Sequence, residues 1–272
     1  MHICSNEQDG NRERASMDRR AHILDLARRQ GRVTVDGLAA ALGVSAHTIR
    51  RDLNTLCDES RLRRLHGGAE YIEGRANIPY QARAVLNYGA KLAIGRAVAA
   101  IVPDGATVFL SIGTTPALVA GALARRRGLT IVTNNLNAAI ALSEAEGARI
   151  VVPGGELRLP DRDLLNNDAV ALFGSYRADF GIYGVGGIDA DGSLLDFHEP
   201  EVRAREAIRA NAREVILVAD HTKFGRRAAA VGGRLADADH IVLDRPPEPP
   251  HAALLGGLRG RLVIAEAEDS HV

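Results

Sequence analysis

Residues 106–116 read ATVFLSIGTTP. The apolar run Ala106–Leu110 predicts a buried strand, and a helical pattern begins where the stretch ends. We expect Thr115 to cap that helix, with Pro116 at its first position. Free backbone N–H groups and the helix dipole converge in such a loop, so the stretch predicts a phosphate site. Short glycine-containing turns after strands also occur merely as connections.

Apolar runs that predict strands alternate with helical patterns on either side of this loop. The runs are Ala106–Leu110, Leu129–Thr133, Arg149–Val152, Phe180–Gly184, Val215–Ala219, His240–Leu243 and Leu262–Ala265. Helical patterns separate several of them, for example over residues 116–125 and 135–144. Continuous apolar strands between helices are typical of a mostly parallel sheet covered on both faces. The sequence therefore predicts an α/β domain, which we place at residues 89–265.

Polar side chains follow several of these predicted strands, where open α/β sheets bind ligands. Asn134 follows the second predicted strand, Asp189 comes shortly after the fourth, and Lys223 shortly after the fifth. Only Lys91 and Lys223 are lysines among the 34 basic residues. A compact ammonium at position 223 therefore favours a contact with a phosphate or sugar oxygen. A surface lysine near a strand end is the alternative.

The chain has a helical pattern between Asp18 and about residue 56. One amphipathic segment runs from Asp18 to Gly31, and a second runs from Val35 to Leu42. After a short turn, Ser45 is a good N-cap for a third helix that extends to about residue 56. Two short helices joined by a tight turn predict a helix-turn-helix.

The third predicted helix separates an apolar face from a polar one. Ile49, Leu53 and Leu56 share the apolar face, and arginine and asparagine on the other face can read bases in the major groove. The segment RLRRLHGG at residues 61–68 predicts a β-wing whose arginines contact phosphates. The residues that we expect to contact DNA are Ser45, His47, Thr48, Arg50, Arg51, Asn54, Arg63, Arg64 and His66.

Charge and composition restrict the possible partners. Twelve arginines and seven acids between Arg12 and Gly68 give this part a net charge of +5, although the whole chain is neutral. This asymmetry favours a nucleic-acid partner, while a helical hairpin with a charged outer face is the alternative. The chain is 46% apolar and contains two cysteines, which excludes general disorder and a disulfide framework. Without a membrane-spanning run or a secretory signal, we expect a cytoplasmic protein.

Three segments of the basic region resemble the DNA-binding domain of the DeoR family of bacterial repressors. They are VDGLA at residues 35–39, LGVSAHTIRRDL at residues 42–53 and RLHGGA at residues 64–69. Ser60 departs from the glycine or asparagine that many members have at the entry to the wing. The resemblance implies a winged helix-turn-helix whose TIRRDL helix enters the major groove of double-stranded operator DNA.

The remainder of the chain resembles the sensor domain of the same family. The matching stretches are SIGTTP (111–116), TNNLN (133–137), PGGELR (153–158), GVGGIDADGSLL (184–195) and ADHTKFGR (219–226). The resemblance implies a fold akin to ribose-5-phosphate isomerase that binds a phosphorylated sugar or polyol such as glycerol 3-phosphate. Ser111, Gly113, Thr114 and Thr115 match the family's phosphate loop, Asn134 and Lys223 match polar pocket positions, and Asp189 matches an acid that could hold hydroxyl groups.

The combined prediction is an α/β sensor domain with a small N-terminal winged helix-turn-helix. We place a disordered arm at residues 1–16, with Met17 as an alternative start, the DNA-binding domain at 17–72, a linker at 73–88 and the sensor at 89–265. Residues 162–167 replace a glycine-rich turn that occurs in the family, so the effector specificity of this chain can differ.

We expect a transcription regulator, most simply a repressor, that forms a homodimer or homotetramer and uses no cofactor, metal or membrane. The competing hypothesis is a sugar-phosphate isomerase activity in the α/β domain. Asp189 or Glu156 would then act as the base and Lys223 as an electrostatic helper. Fusion to a DNA-binding module favours sensing, because turnover would destroy the signal.

Overall fold

The computed structural model describes residues 19–27, 30–58, 62–71, 79–159, 161–258 and 260–265. The chain divides into two compact units, residues 1–76 and residues 77–272. The predicted arm at residues 1–16 and the entry to the wing at Ser60 lie outside the described residues.

The N-terminal unit is a three-helix domain with a small antiparallel sheet. Its elements are helix α1 (residues 19–27), strand β1 (Arg32–Thr34), helices α2 (Val35–Leu42) and α3 (Ala46–Asp58), and strands β2 (Leu62–Leu65) and β3 (Gly68–Tyr71). The sheet order is β1-β3-β2. Ile23, Ile49 and Leu53 are fully buried in its core. The predicted helices and wing are present, and β1 is an addition, because three residues are too few to show a strand pattern.

Gly68 allows the wing to pair with β1. A Cβ atom at this position would lie 2.1 Å from the carbonyl oxygen of Val33, which is far inside van der Waals contact. The preceding Gly67 has a φ of 77°, in the left-handed region that glycine adopts without strain. Its carbonyl accepts a hydrogen bond from the N–H of Val35 at 2.9 Å. Backbone geometry in the wing therefore requires glycine at positions 67 and 68.

The segment predicted as a linker contains a helix. Helix α4 (Tyr80–Val85) lies inside residues 73–88, and helix α5 begins at Tyr88. The sequence shows no amphipathic pattern here because α4 has no buried residue. Polar contacts of Arg83, described below, hold it instead. The linker prediction was therefore wrong for residues 80–85.

The C-terminal unit alternates helices with parallel strands, as predicted. Its helices are α4, α5 (Tyr88–Ile101), α6 (Thr114–Leu123), α7 (Leu136–Ala141), α8 (Asn167–Gly174) and α9 (Glu199–Asn211). Its strands are β4 (Thr107–Leu110), β5 (Thr130–Thr133), β6 (Arg149–Val151), β7 (Ala178–Tyr183), β8 (Gly187–Ile188), β9 (Ser193–Asp196), β10 (Ala212–Ala219), β11 (Ala230–Arg234), β12 (His240–Leu243) and β13 (Arg261–Ile264).

Seven of these strands form one parallel sheet in the order β13-β12-β10-β7-β4-β5-β6. Buried apolar clusters cover both faces, one around Val108 and Ile182 and the other around Phe109 and Phe173. The strand order reverses between β4 and β7, which pair directly. Ligands of open α/β sheets bind at such a switch point, beyond the carboxyl ends of the strands. The fold therefore places a binding crevice at the loops that follow β4 and β7.

A second, three-stranded sheet has the order β11-β9-β8 and is antiparallel. The sequence shows no strand pattern for this sheet, because β8 has only two residues and β11 is interrupted by Gly232 and Gly233. The turn between β8 and β9 contains Asp189. This sheet therefore removes Asp189 from the edge of the parallel sheet.

Candidate functional site

Helix α3 presents a polar face suited to the major groove. His47, Arg50, Arg51 and Asn54 are all exposed. Their spacing of three and four residues places them on one side of the helix. Ile49, Leu53 and Leu56 are 0% exposed and pack into the domain. The structure therefore brings together the four side chains that we predicted as base-reading residues.

Ser45 and Thr48 form hydrogen bonds at the N-terminus of α3. The Ser45 Oγ accepts the N–H of Thr48 at 3.1 Å, as an N-cap does, and the two hydroxyl groups lie 2.9 Å apart. Both residues lie beside the exposed face of α3. Their hydroxyl groups orient the helix N-terminus, where backbone N–H groups favour a phosphate.

The wing arginines differ in their contacts. Arg63 forms an ion pair with Glu70 across the hairpin, and Arg32 donates to the other oxygen of that carboxylate at 3.0 Å. These two guanidinium groups lower the pKa of Glu70. Arg64 and His66 are exposed at the end of the wing. Arg63 must therefore exchange Glu70 for a phosphate if it contacts DNA.

Asp52 in the TIRRDL segment points into the domain. It is 4% exposed, and Arg19 of α1 donates to its two oxygens at 2.5 and 3.3 Å. The hydrogen bond that Arg19 donates to Asp52 raises the pKa of Arg19. Asp52 therefore anchors α3 to α1, whereas the preceding Arg50 and Arg51 are exposed.

The loop after β4 forms the first wall of a cleft at the switch point. Gly113 is the N-cap of α6, with a φ of 112°, and Thr114 and Thr115 are the first helical residues. The prediction that Thr115 caps the helix and Pro116 is its first residue was wrong, because Gly113 turns the chain two residues earlier. Pro116 has no N–H, so Thr114 and Thr115 supply the helix-terminal donors that lack an acceptor within the helix.

Two predicted residues, Ser111 and Asn134, support this loop from behind or from the side. Ser111 is 3% exposed, and its carbonyl accepts from Asn135 Nδ2 at 3.1 Å, which also donates to the Gly113 carbonyl at 3.0 Å. Asn134 is fully buried and donates to the Leu164 carbonyl at 3.0 Å. Ser111 and Asn134 do not line the cleft. They hold its walls, and Asn135 is a brace that the sequence analysis missed.

The cleft is open to solvent, and the empty space in it and at its mouth amounts to about 560 Å³. Its walls include the loop after β4 and the residues that follow β7, Gly184–Gly186. Charged side chains complete the lining; they are Arg83, Arg158, Asp161, Asp163, Asp196, Glu201, Lys223 and Arg226. Of the predicted effector residues, Gly113, Thr114, Thr115 and Lys223 thus meet in one place.

Basic residues crowd one part of this lining. Burial is the largest cause that lowers the pKa of Lys223, the charges of Arg226, Lys91 and Arg83 also lower it, and Asp220 opposes them; the resulting pKa is about 7. Burial and the charge of Arg83 lower the pKa of Arg226 to about 10. The side chains therefore repel one another as cations. An anion in the cleft would relieve that repulsion.

Lys91 and Asp220 interact electrostatically with Lys223 but do not line the cleft. Lys91 is 2% exposed, and burial lowers its pKa to about 8. Burial alone would raise the pKa of Asp220, but Lys223, the Thr222 hydroxyl and Lys91 hold it below its ordinary value. One buried carboxylate thus faces two lysines, which leaves positive charge in excess at this point.

Carboxylates occupy another part of the cleft. Arg158 donates to both oxygens of Asp163 at 2.8 Å and to Glu201 at 3.1 Å. Asp196 forms a buried ion pair with Arg205 and accepts the N–H of Gly186 at 2.7 Å. Burial raises the pKa of Asp196 to about 6, although Arg205 opposes that effect. These oxygens are acceptors for hydroxyl groups.

Asp189 does not line the cleft. It is exposed in the turn between β8 and β9, where its own Oδ1 accepts the N–H of Ala190 at 2.8 Å. Its backbone closes the turn with Ser193 and Gly192. The acidic part of the cleft comes from Asp163, Asp196 and Glu201 instead. We therefore correct the assignment of Asp189 as the hydroxyl-binding acid.

Among the residues described by the structure, no helix is long and apolar enough to cross a membrane. In the same residues, no group of three or more His, Cys, Asp or Glu side chains could hold a metal ion.

Comparison with known proteins identifies both units. The DeoR-like helix-turn-helix domain model matches residues 19–75, and the DeoR C-terminal sensor domain model matches residues 86–245. The glycerol-3-phosphate regulon repressor of Escherichia coli K12 is 44% identical over 83% of this chain and 89% of that protein. The repressor of the same name from Haemophilus influenzae is 43% identical over 85% of this chain and 90% of that protein.

Two further matches are more distant. The HTH-type transcriptional repressor CsqR of Escherichia coli is 36% identical over 89% of this chain and 91% of that protein. Ribose 5-phosphate isomerase from Plasmodium falciparum is similar in structure over 51% of this chain and 53% of that chain, with 13% identity and a TM-score of 0.36. The family models and the three repressors confirm the resemblance seen in the sequence. The chain therefore belongs to the DeoR family of bacterial transcription regulators, with the family's DNA-binding domain at its N-terminal end and its sensor domain after it.

Proposed function

We propose that the chain is a transcriptional repressor whose grip on operator DNA is controlled by a phosphorylated sugar or polyol. The observation that carries the proposal is the excess of positive charge around Lys223 in the cleft entered by the N-terminus of α6. A phosphate dianion there accepts from the N–H groups of Thr114 and Thr115 and pairs with Lys223 and Arg226.

The acidic part of the cleft supplies the second half of the recognition. Asp163, Asp196 and Glu201 offer oxygens that accept hydroxyl hydrogens. A ligand with phosphate at one end and hydroxyl groups along a short carbon chain matches this division of charge. The glycerol-3-phosphate regulon repressors named above make sn-glycerol 3-phosphate the first candidate.

Sensing, and not catalysis, is the role that we propose for the cleft. Asp189 and Glu156, the bases of the competing isomerase hypothesis, are both exposed and do not line it. We further propose that the protein acts in the cytoplasm as a homodimer or homotetramer. Two half-sites of an operator require two recognition helices at a fixed spacing.

The proposal predicts that a polyol or sugar phosphate stabilises the protein and changes its affinity for DNA. Thermal shift would be measured with sn-glycerol 3-phosphate, ribose 5-phosphate and fructose 6-phosphate, with glycerol as the uncharged control. A ligand at 100 times its Kd adds about 2.7 kcal/mol to the free energy of unfolding. Operator affinity would then be measured with the stabilising ligand. If every phosphorylated compound leaves both the Tm and operator affinity unchanged, the proposal is wrong.

Effector affinity is expected to fall as pH rises above about 7, the pKa of Lys223 in the ligand-free protein. A bound dianion raises that pKa, so binding takes up a proton between the two values, and the affinity falls up to tenfold per pH unit. Calorimetry at pH 8 in two buffers of different ionisation enthalpy measures the uptake. Lys91, with a pKa of about 8, adds to it, so Lys223→Met isolates the part due to Lys223. Equal uptake in parent and variant would contradict the assignment.

A further inference from the structure

Helix α4 is the first described element after the DNA-binding unit, and it contributes Arg83 to the cleft. None of its six residues is buried, and Val85 is 75% exposed. Its N-cap, Pro79, makes no side-chain capping bond. A helix this short has little stability of its own. Its position therefore depends on its contact with α6 and on a few polar contacts.

Three polar contacts connect α4, or the residue just after it, with charged residues in or near the cleft. Arg83 forms an ion pair with Asp161, and both side chains are largely buried. Lys91 Nζ donates to the carbonyl of Arg83, and Asn87 Nδ2, just after the helix, lies 3.3 Å from Asp220 Oδ1. The charges of Lys91 and Asp220 both act on Lys223. A ligand that rearranges these charges therefore acts on these polar contacts of α4.

The partner of Arg83 is held in place. Arg158 binds Asp163 through two hydrogen bonds of 2.8 Å, and its carbonyl accepts the N–H of Arg162 at 2.7 Å. These bonds close the loop that carries Asp161. A second guanidinium, that of Arg158, lies 3.4 Å from the Asp161 carboxylate. Asp161 therefore keeps a second cationic partner when Arg83 leaves it.

Arg83 also lies within electrostatic reach of the cations that surround the phosphate position. Its charge lowers the pKa of both Lys223 and Arg226. A guanidinium binds a phosphate dianion through two hydrogen bonds and a larger charge than a carboxylate offers. A phosphate in the cleft therefore competes with Asp161 for Arg83.

We propose that Arg83 exchanges Asp161 for the effector's phosphate, that this exchange moves α4, and that the movement changes the affinity for operator DNA. The inference rests on the proposed function of the cleft and adds the route by which the ligand is sensed. It makes Arg83 both an effector contact and the positioning residue of α4.

Two single variants of the full-length protein test the exchange. Arg83→Gln is expected to weaken the binding of sn-glycerol 3-phosphate about tenfold, since one charged contact is lost. At saturation, the ligand should then change operator affinity less than about twofold, because α4 no longer follows it. Asp161→Asn releases Arg83 without ligand. Its ligand-free operator affinity should shift most of the way to the value of the ligand-saturated parent.

A conservative variant and a matched control separate this role from a loss of folding. Arg83→Lys keeps a positive charge opposite Asp161, so its ligand-free operator affinity and its response to ligand should stay closer to those of the parent than in Arg83→Gln. Arg127→Gln removes an exposed ion pair with Glu146 in the same unit and should change neither quantity. Hydrogen exchange of residues 80–85 should change with ligand in the parent and not in Arg83→Gln.

The outcomes distinguish the two proposals. A parent that binds none of the phosphorylated compounds refutes the proposed function of the cleft. A parent that responds, together with an Arg83→Gln variant that responds equally, refutes the exchange alone. Parental operator affinity in ligand-free Asp161→Asn also refutes it, whatever ligand the cleft binds.

Discussion

Replacing Arg50 and Arg51 together with alanine is expected to abolish selective binding to the operator. Both guanidinium groups are exposed on the face of α3 that carries His47 and Asn54. Each bidentate contact with a base contributes about 1–3 kcal/mol of discrimination, so the pair accounts for about 30-fold to 10⁴-fold. The operator would be selected from a random duplex library with the parent protein. The Kd of the variant would then be measured for that operator and for a non-specific duplex.

Two control variants distinguish base reading from general attraction to DNA. Arg64→Ala, at the end of the wing, should weaken binding to both duplexes alike and reduce the salt dependence by about one phosphate contact. Arg125→Ala removes an exposed arginine of the other unit and should leave both affinities unchanged. The apolar face of α3 is intact in all three variants, so each should melt as the parent does. Parental selectivity in the double variant would show that α3 does not read bases.

The second large effect is expected at Lys223. Lys223→Met keeps most of the side-chain volume and removes the charge, so effector binding loses a charge-assisted hydrogen bond of about 1.5–3 kcal/mol. The affinity should fall about tenfold to 150-fold. Calorimetry with the ligand found in the thermal-shift screen measures the change.

The same variant should be no less stable than the parent when ligand is absent. The charged form of Lys223 is unfavourable in the empty cleft, as its pKa of about 7 indicates. Asp220 keeps its hydrogen bonds to Asn87 and Thr222. A Tm within a few degrees of the parent, with weaker binding, therefore separates recognition from folding. Equal affinity in parent and variant would remove Lys223 from the site.

The features predicted from sequence are those set by local pattern. The spacing of Ile49, Leu53 and Leu56 determines which face of α3 is buried, and the apolar runs between helices determine a parallel sheet. The strand, glycine loop and helix at residues 106–116 are likewise local. Lys223 was recognisable because lysine is rare in this chain.

The residues missed by sequence analysis reach the cleft through tertiary structure. Arg83 lies on a helix without an amphipathic pattern, and Arg158 and Glu201 are far apart in the chain but lie 3.1 Å from each other. Asp189 was chosen because it follows a strand in sequence, whereas the short antiparallel sheet carries it away and places Asp196 at the cleft. No periodicity in the sequence encodes such contacts between distant residues.

The reversal of strand order between β4 and β7 has a consequence for incomplete chains. The wall after β4 comes from the early part of the sensor unit, whereas Lys223 and Arg226 follow β10, much later in the chain. A truncated protein that ends before β10 would lack both side chains and a central strand of the parallel sheet, so we expect it to bind no effector. Helix α3 lies earlier in the chain, so premature termination would leave the DNA-binding domain without this means of control.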